Sequence, residues 1–174
     1  MTVHRVSRFG FVNAFLVEEP DGFTLIDTML PGSAKAILKA ADGREIKRIA
    51  LTHAHGDHIG SLDKLVAALP GVEVLISSRD ARLLAKDKTM DPGEPESKLS
   101  GGYPGAKTKP TATFAAGDRV EAAELFELSV RTDAQNACIV TPGVADVANR
   151  HAAREIQLRR RDRAPYAVRR APAK

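Results

Sequence analysis

Three of the chain's five histidines fall within seven consecutive residues, Thr52-His53-Ala54-His55-Gly56-Asp57-His58, and no other stretch limits the fold as tightly. Residues 47–52 in front of it read as a short strand. Behind it, Ile59, Leu62, Leu65, Val66 and Leu69 recur at helical spacing until Pro70-Gly71 stops the pattern. The cluster therefore sits in a strand-to-helix bend. Extended backbone sends alternate side chains the same way, so His53 and His55 can face one cation. Gly56 permits the turn. Asp57 and His58 open the next helix and project toward the same cleft, beside the first pair. Neutral imidazole and carboxylate are zinc donors, and the carboxyl end of a strand in an α/β sheet is where ligands bind. The competing reading is a set of solvent-exposed loop histidines. With five histidines in 174 residues, three in one bend argue for a metal.

The flanking pattern predicts a layered α/β domain. Residues 11–18 and 23–28 read as strands around the turn Pro20-Asp21-Gly22. Ser33 is placed to cap a helix over 34–41, in which Ala34, Ile37, Leu38 and Ala41 share a face and Gly43 follows the end. A strand over 72–77 and a helix over 79–87 come next. Residues 90–110 hold four prolines and four glycines and read as a long mobile loop. Strand character resumes around 119–120 and 125–130.

Charge divides the chain. Residues 1–118 carry 15 Lys+Arg against 15 Asp+Glu, whereas 119–174 carry 11 against 7 and supply the whole net charge of +4. The basic residues change as well, from nine Lys and six Arg to one Lys and ten Arg. Residues 1–130 are accordingly assigned to one domain and 131–174 to an Arg/Ala-rich C-terminal segment, disordered or foreign to the fold. No apolar run approaches the roughly 20 residues of a membrane helix, the N-terminus lacks a secretory pattern, and Cys138 has no second cysteine to pair with. A cytoplasmic protein with no membrane partner is expected.

The segment 52–58 resembles the H-x-H-x-D-H signature of the metallo-β-lactamase superfamily, as do Leu25-Ile26-Asp27-Thr28 before it and Gly60 after it. The resemblance covers residues 10–120. It implies an α/β (α+β) fold, the αββα sandwich, in incomplete form. It implies two zinc ions, the first held by His53 and His55 and the second by Asp57 and His58, with Asp27 bracing the metal loop. It further implies a zinc-dependent hydrolase that directs a metal-bound hydroxide at a small-molecule ester, lactone, thioester, amide or phosphodiester. Asp57 would be the catalytic residue, orienting the attacking water and accepting its proton.

The family's second-half ligands are not matched. Thr141-Pro142-Gly143 is followed by Val144 where the family has histidine, and Gly117-Asp118 reads as a strand-entry turn. His151 fits an exposed helix position, and Cys138, between Ala137 and Ile139-Val140, fits a core thiol. Either the chain ends in foreign sequence, as a reading-frame change would produce, or it is a short diverged member. Apolar surface left bare by missing strands would favour a homodimer. Two alternatives to an active enzyme follow: a catalytically impaired metal-binding remnant, and a nucleic-acid binder using residues 159–163. The second lacks aromatic stacking platforms, since Tyr166 is the lone aromatic of the tail.

Overall fold

The computed structural model describes residues 2–90, 92, 99 and 101–114 in full, and the backbone alone of strands within 119–142 and at 168–169. Six strands form one mixed sheet in sequential order: β1 (Val3–Arg8), β2 (Val12–Glu19), β3 (Gly22–Ile26), β4 (Ile46–Ala50), β5 (Glu73–Ser77) and β6 (Ala112–Phe114). The first three run antiparallel, and β3 to β6 run parallel. Glu19 pairs with Gly22 across the two-residue turn Pro20-Asp21, as the turn chemistry predicts. Gly22 has φ +145°, and a Cβ there would lie 2.4 Å from the Glu45 carbonyl oxygen, so only glycine fits.

Parallel strands need crossovers, and helices supply them. α1 (Ala34–Ala40) links β3 to β4, α2 (Gly56–Ile59) and α3 (Leu62–Ala68) link β4 to β5, and α4 (Ser78–Leu84) follows β5. Ile37, Leu62, Leu65, Leu83 and Leu84 from these helices join Leu16, Leu25, Ile49 and Ile76 in the main core. Each such side chain taken from water contributes about 1.5–3 kcal/mol before entropic costs. The opposite face of the sheet carries a second buried cluster, Val17, Ile26, Ala50, Leu75 and Phe114. Arg48 shares that face and forms a buried ion pair with Glu19 at 2.7 Å, while Asp21 sits 2.9 Å from the same guanidinium.

A second, four-stranded antiparallel sheet comprises β7 (Arg119–Ala122), β8 (Phe126–Thr132), β9 (Cys138–Pro142) and β10 (Val168–Arg169), in the order β10-β7-β8-β9. The Gly117-Asp118 turn, Val144, His151 and the basic run 159–163 lie outside the described residues, and of Cys138 only the backbone is described.

Three expectations change. The helix expected over 59–69 is α3 over Leu62–Ala68, with Ile59 ending the separate α2, because Ser61 leaves helical dihedrals at φ −106° and ψ 6°. Ser33 stands at the N-cap of α1, but its hydroxyl accepts from Arg8 Nη1 at 3.1 Å rather than capping the helix. The expected mobile loop is, over 101–108, tied to the body of the domain. Among the described residues no helix is long and apolar enough to cross a membrane.

Candidate metal centre

Because β3, β4 and β5 are parallel, their carboxyl ends open at one edge, and each delivers part of the site there. β3 leads into Asp27, β4 leads into Thr52-His53, and β5 ends at Ser77. Asp27 is buried and holds φ +58°, a left-handed conformation that asparagine and aspartate tolerate best. Its backbone N–H donates to the Ala50 carbonyl at 3.0 Å, and the neighbouring Thr28 N–H donates to the His58 carbonyl at 2.6 Å. The chain is thereby turned so that the Asp27 carboxylate points under the histidine bend.

That carboxylate organises the bend. Burial alone would raise its pKa, but His58, the Thr52 N–H and His53 together hold it below the ordinary carboxylate value. It is therefore ionised and accepts only. The Thr52 N–H donates to Oδ1 at 2.9 Å and the Thr52 hydroxyl to Oδ2 at 2.8 Å. With its one proton committed, the hydroxyl oxygen accepts from His53 Nδ1 at 2.9 Å. This hydrogen-bond logic assigns the lone pair of His53 to Nε2. Burial, with His58 beside it, drives the His53 pKa down to about 4, so the ring is neutral at pH 7. His58 Nδ1 donates to Asp27 Oδ2 at 2.8 Å, leaving Nε2 3.6 Å from Asp57 Oδ2. Burial pushes His58 down, but the Asp27 carboxylate outweighs it and raises the pKa above the ordinary 6.5. Imidazoles held through one nitrogen by a carboxylate or hydroxyl, with the other turned outward, are the usual state of metal-ligating histidines.

His53 Nε2 and His55 Nδ1 lie 2.9 Å apart. Two imidazole nitrogens on one tetrahedral zinc stand about 3.3 Å apart, given Zn–N bonds of about 2.0–2.1 Å. A shift of a few tenths of an ångström would let both face one ion. The motif thus supplies donors in twos, His53 with His55 and Asp57 with His58. Among the described residues no group of three or more His, Cys, Asp or Glu side chains is arranged to hold an ion on its own. The donor types, imidazole and carboxylate, are those that bind zinc.

Several supporting residues escaped sequence reasoning. Asp80 is buried and accepts from the Ala54 N–H at 3.0 Å, fixing the backbone between the two histidines. Ser77 donates to Asp80 Oδ2 at 2.7 Å and accepts the Asp80 N–H at 2.9 Å, so the pair also caps α4. The signal was present as Ser77-x-x-Asp80, a capping-box spacing at the end of a strand. Ser61 accepts from the Ser33 N–H at 2.8 Å and donates to the Leu30 carbonyl at 2.7 Å, clasping the loop after β3 to the junction of α2 and α3. A cleft of about 500 Å³ opens beside Asp57, between Leu30-Pro31, Ile59 and Pro104.

The sequence profile described as Metallo-beta-lactamase superfamily matches residues 7–134. The Bacillus subtilis protein YobT is 45% identical over 112 residues, 63% of this chain and 48% of YobT. The probable metallo-hydrolase YflN of the same organism is 36% identical over 88 residues, 48% of this chain and 33% of YflN. Among solved structures, BJP-1, a subclass B3 metallo-β-lactamase of Bradyrhizobium japonicum, superposes with a TM-score of 0.57 at 25% identity, covering 78% of this chain and 52% of that one. This chain therefore spans half or less of the length of the two curated relatives. With the mixed sheet, the helices on its one face and the histidine bend at the open edge, this places the chain in the metallo-β-lactamase superfamily.

Proposed function

We propose that the chain serves a metal-dependent hydrolase, with His53 and His55 holding one zinc ion and Asp57 and His58 a second. The observation that carries the reading is the pairing of His53 Nε2 with His55 Nδ1 at 2.9 Å above a buried carboxylate that fixes the tautomer of His53. The name of YflN, a probable metallo-hydrolase, supports the same class. Bound zinc would bring the pKa of a water toward about 7 and polarise the scissile carbonyl or phosphoryl group.

The chain's own groups do the rest. Asp57, half-exposed at the mouth of the cleft, would orient the attacking water and take its proton. Asp27 keeps His58 Nε2 turned outward, and Thr52 does the same for His53. The cleft would seat the substrate beside Asp57, an ester, lactone, thioester, amide or phosphodiester.

Elemental analysis of desalted protein, with assays on generic ester, thioester and lactone substrates, tests the proposal. About two zinc ions per chain, with turnover lost in Asp57→Ala, is the expected result. Protein that retains no zinc after desalting overturns it. A second reading, a metal-binding remnant without turnover, draws on the two-donor sets. It predicts at most one weakly held ion and no hydrolysis, because a catalytic zinc normally takes three protein ligands.

A further inference from the structure

Residues 101–108 return across the histidine bend between α4 and β6, and they are tied down along their length. The Gly102 carbonyl accepts from the Gly56 N–H at 3.0 Å, and the Ala106 N–H donates to the Leu84 carbonyl at 2.9 Å. Asp63, on α3, accepts from the N–H groups of Lys107 and Thr108 at 3.0 and 2.8 Å and from the Thr108 hydroxyl at 2.7 Å. A Cβ at Gly56 would stand 3.4 Å from Pro104 Cγ, so the proline ring of this strap reaches the start of α2. The strap is one fixed wall of the cleft beside Asp57. The loop after β3 is the other, held by the Ser61 hydroxyl on the Leu30 carbonyl at 2.7 Å and by Arg8 on the Pro31 carbonyl at 2.6 Å.

The chemistry of these walls is one-sided. Leu30, Pro31, Ile59, Pro104 and Ala106 present apolar side chains, with glycine backbone between them. The anchoring bonds already engage the Leu30, Pro31 and Gly102 carbonyls and the Gly56 and Ala106 N–H groups. The two charged residues of the lining are both acidic, Asp57 at the mouth and Asp63 behind it. Burial would raise the Asp63 pKa, but its strap donors hold it below the ordinary carboxylate value, so it is negative at neutral pH. Lys107 of the strap and Lys86 and Lys88 after α4 line none of the cleft. At about 500 Å³ the cleft has the size of a small-molecule site. With apolar walls and no cation, it recognises a ligand by taking apolar surface from water.

We propose that this cleft is an acyl-chain subsite, which takes the uncharged aliphatic chain of a carboxylic ester, thioester or lactone and turns away chains that end in an anion. The proposal rests on the hydrolase reading above and narrows its substrate class. Asp57 belongs both to the histidine motif and to the cleft lining, so a carbonyl held at the bend has its chain within reach of the cleft. Each methylene that enters gains roughly fourfold in binding. A terminal carboxylate would leave water to face Asp63, with no cation in the walls to offset the loss.

The test uses the full chain with zinc and the p-nitrophenyl esters of acetate, butanoate and hexanoate. Beside them stands the adipate half-ester, the hexanoate chain with a carboxylate in place of its terminal methyl. From acetate to hexanoate kcat/KM rises about tenfold or more, given roughly fourfold per buried methylene, and the adipate half-ester falls well below hexanoate. Pro104 is exposed, so a charged side chain there leaves the core untouched, and backbone amide spectra report that each variant is folded. Pro104→Glu flattens the chain-length series, and Pro104→Lys brings the adipate half-ester up to hexanoate. A second arm needs no metal. Hexanamide titrated into the ¹⁵N-labelled, metal-stripped chain shifts the amides of Gly60, Gly102 and Ala106 in the parent and not in Pro104→Glu. A rise of less than about tenfold in an active parent, an adipate half-ester as good as hexanoate, or no hexanamide shifts at these amides overturns the proposal. Should the chain hold no zinc and hydrolyse nothing while hexanamide still shifts them, the hydrolase reading falls and the cleft stands as a site for uncharged aliphatic chains.

Discussion

At the scale of single residues, the site depends on two buried carboxylates that touch the bend from different elements, Asp27 just past β3 and Asp80 in the first turn of α4. Asp27 directs the protons of Thr52, His53 and His58, and Asp80 holds the backbone at Ala54. Replacing Asp27 by alanine removes the acceptor that turns His58 Nε2 outward. Zinc affinity, measured by chelator competition, should fall roughly 10–100-fold. Asp80→Ala is a different experiment. It leaves the donor atoms in place but strands the Ala54 N–H among buried neighbours, and urea unfolding of the metal-free protein should show a loss of about 1–3 kcal/mol. The four motif residues were readable from sequence as candidates because strand periodicity and the start of α2 bring them together locally, although Gly56 is the first residue of α2 and takes no positive φ. Asp27 was legible through its resemblance to a family segment. Asp80 was not, because its partner Ala54 lies 26 positions away and only pairing of β4 with β5 makes them neighbours.

At the scale of elements, strands and helices with strong periodicity form close to where the sequence places them, and the departures have local causes. β1 went unread because Val3 and Val6 are the only apolar residues in Val-His-Arg-Val-Ser-Arg; its pairing with β2 makes it a strand. The helix after the motif breaks at Ser61, and the preceding Gly60 packs so close to Pro31 that a Cβ there would meet Pro31 Cδ at 2.4 Å. Gly60→Ala should therefore push the loop after β3 away from the motif helix, and thermal unfolding should register a lower midpoint. Residues 101–108 look like a proline- and glycine-rich loop, yet hydrogen bonds to α2, α3 and α4 make them a strap. Composition does not encode those anchors, since each is a contact distant in sequence. The buried Glu19–Arg48 pair supplies a further test. Burial outweighs its partners and raises the Glu19 pKa, a sign that the charge is expensive there. Arg48→Met leaves that carboxylate unpaired with no exposed side-chain surface, and denaturant unfolding should lose about 3–5 kcal/mol. The double replacement Glu19→Leu/Arg48→Met should recover most of it.

At the scale of the whole molecule, a metal held as proposed would be linked to folding. An ion bound only by the folded chain stabilises it by mass action, about 2.7 kcal/mol when free metal is 100 times its dissociation constant. Zinc should raise the unfolding midpoint of the parent and leave a His53→Ala/His55→Ala/Asp57→Ala/His58→Ala variant unmoved, with chelator reversing the gain. The buried cluster of Val17, Ile26, Ala50, Leu75 and Phe114 gives the sheet a second apolar face, so this face as well as the helical one contributes to stability. Phe114→Ala should cost about 3–5 kcal/mol in the same assay.

The sequence alone determined what a strand, a turn and a helix can do within about a dozen residues. It placed two imidazoles on one side of an extended segment, a carboxylate and a third imidazole at the start of the following helix, and the apolar residues that bury β2 to β5. Those are consequences of backbone period and side-chain chemistry, which neighbours in sequence share. Tertiary structure alone decided what the rings of His53 and His58 lean on, because Asp27, which accepts from His58 Nδ1 and from the Thr52 hydroxyl beside His53, arrives from the end of β3. Ring orientation is a matter of packing and hydrogen-bond partners, and those exist only once β3 and β4 lie side by side.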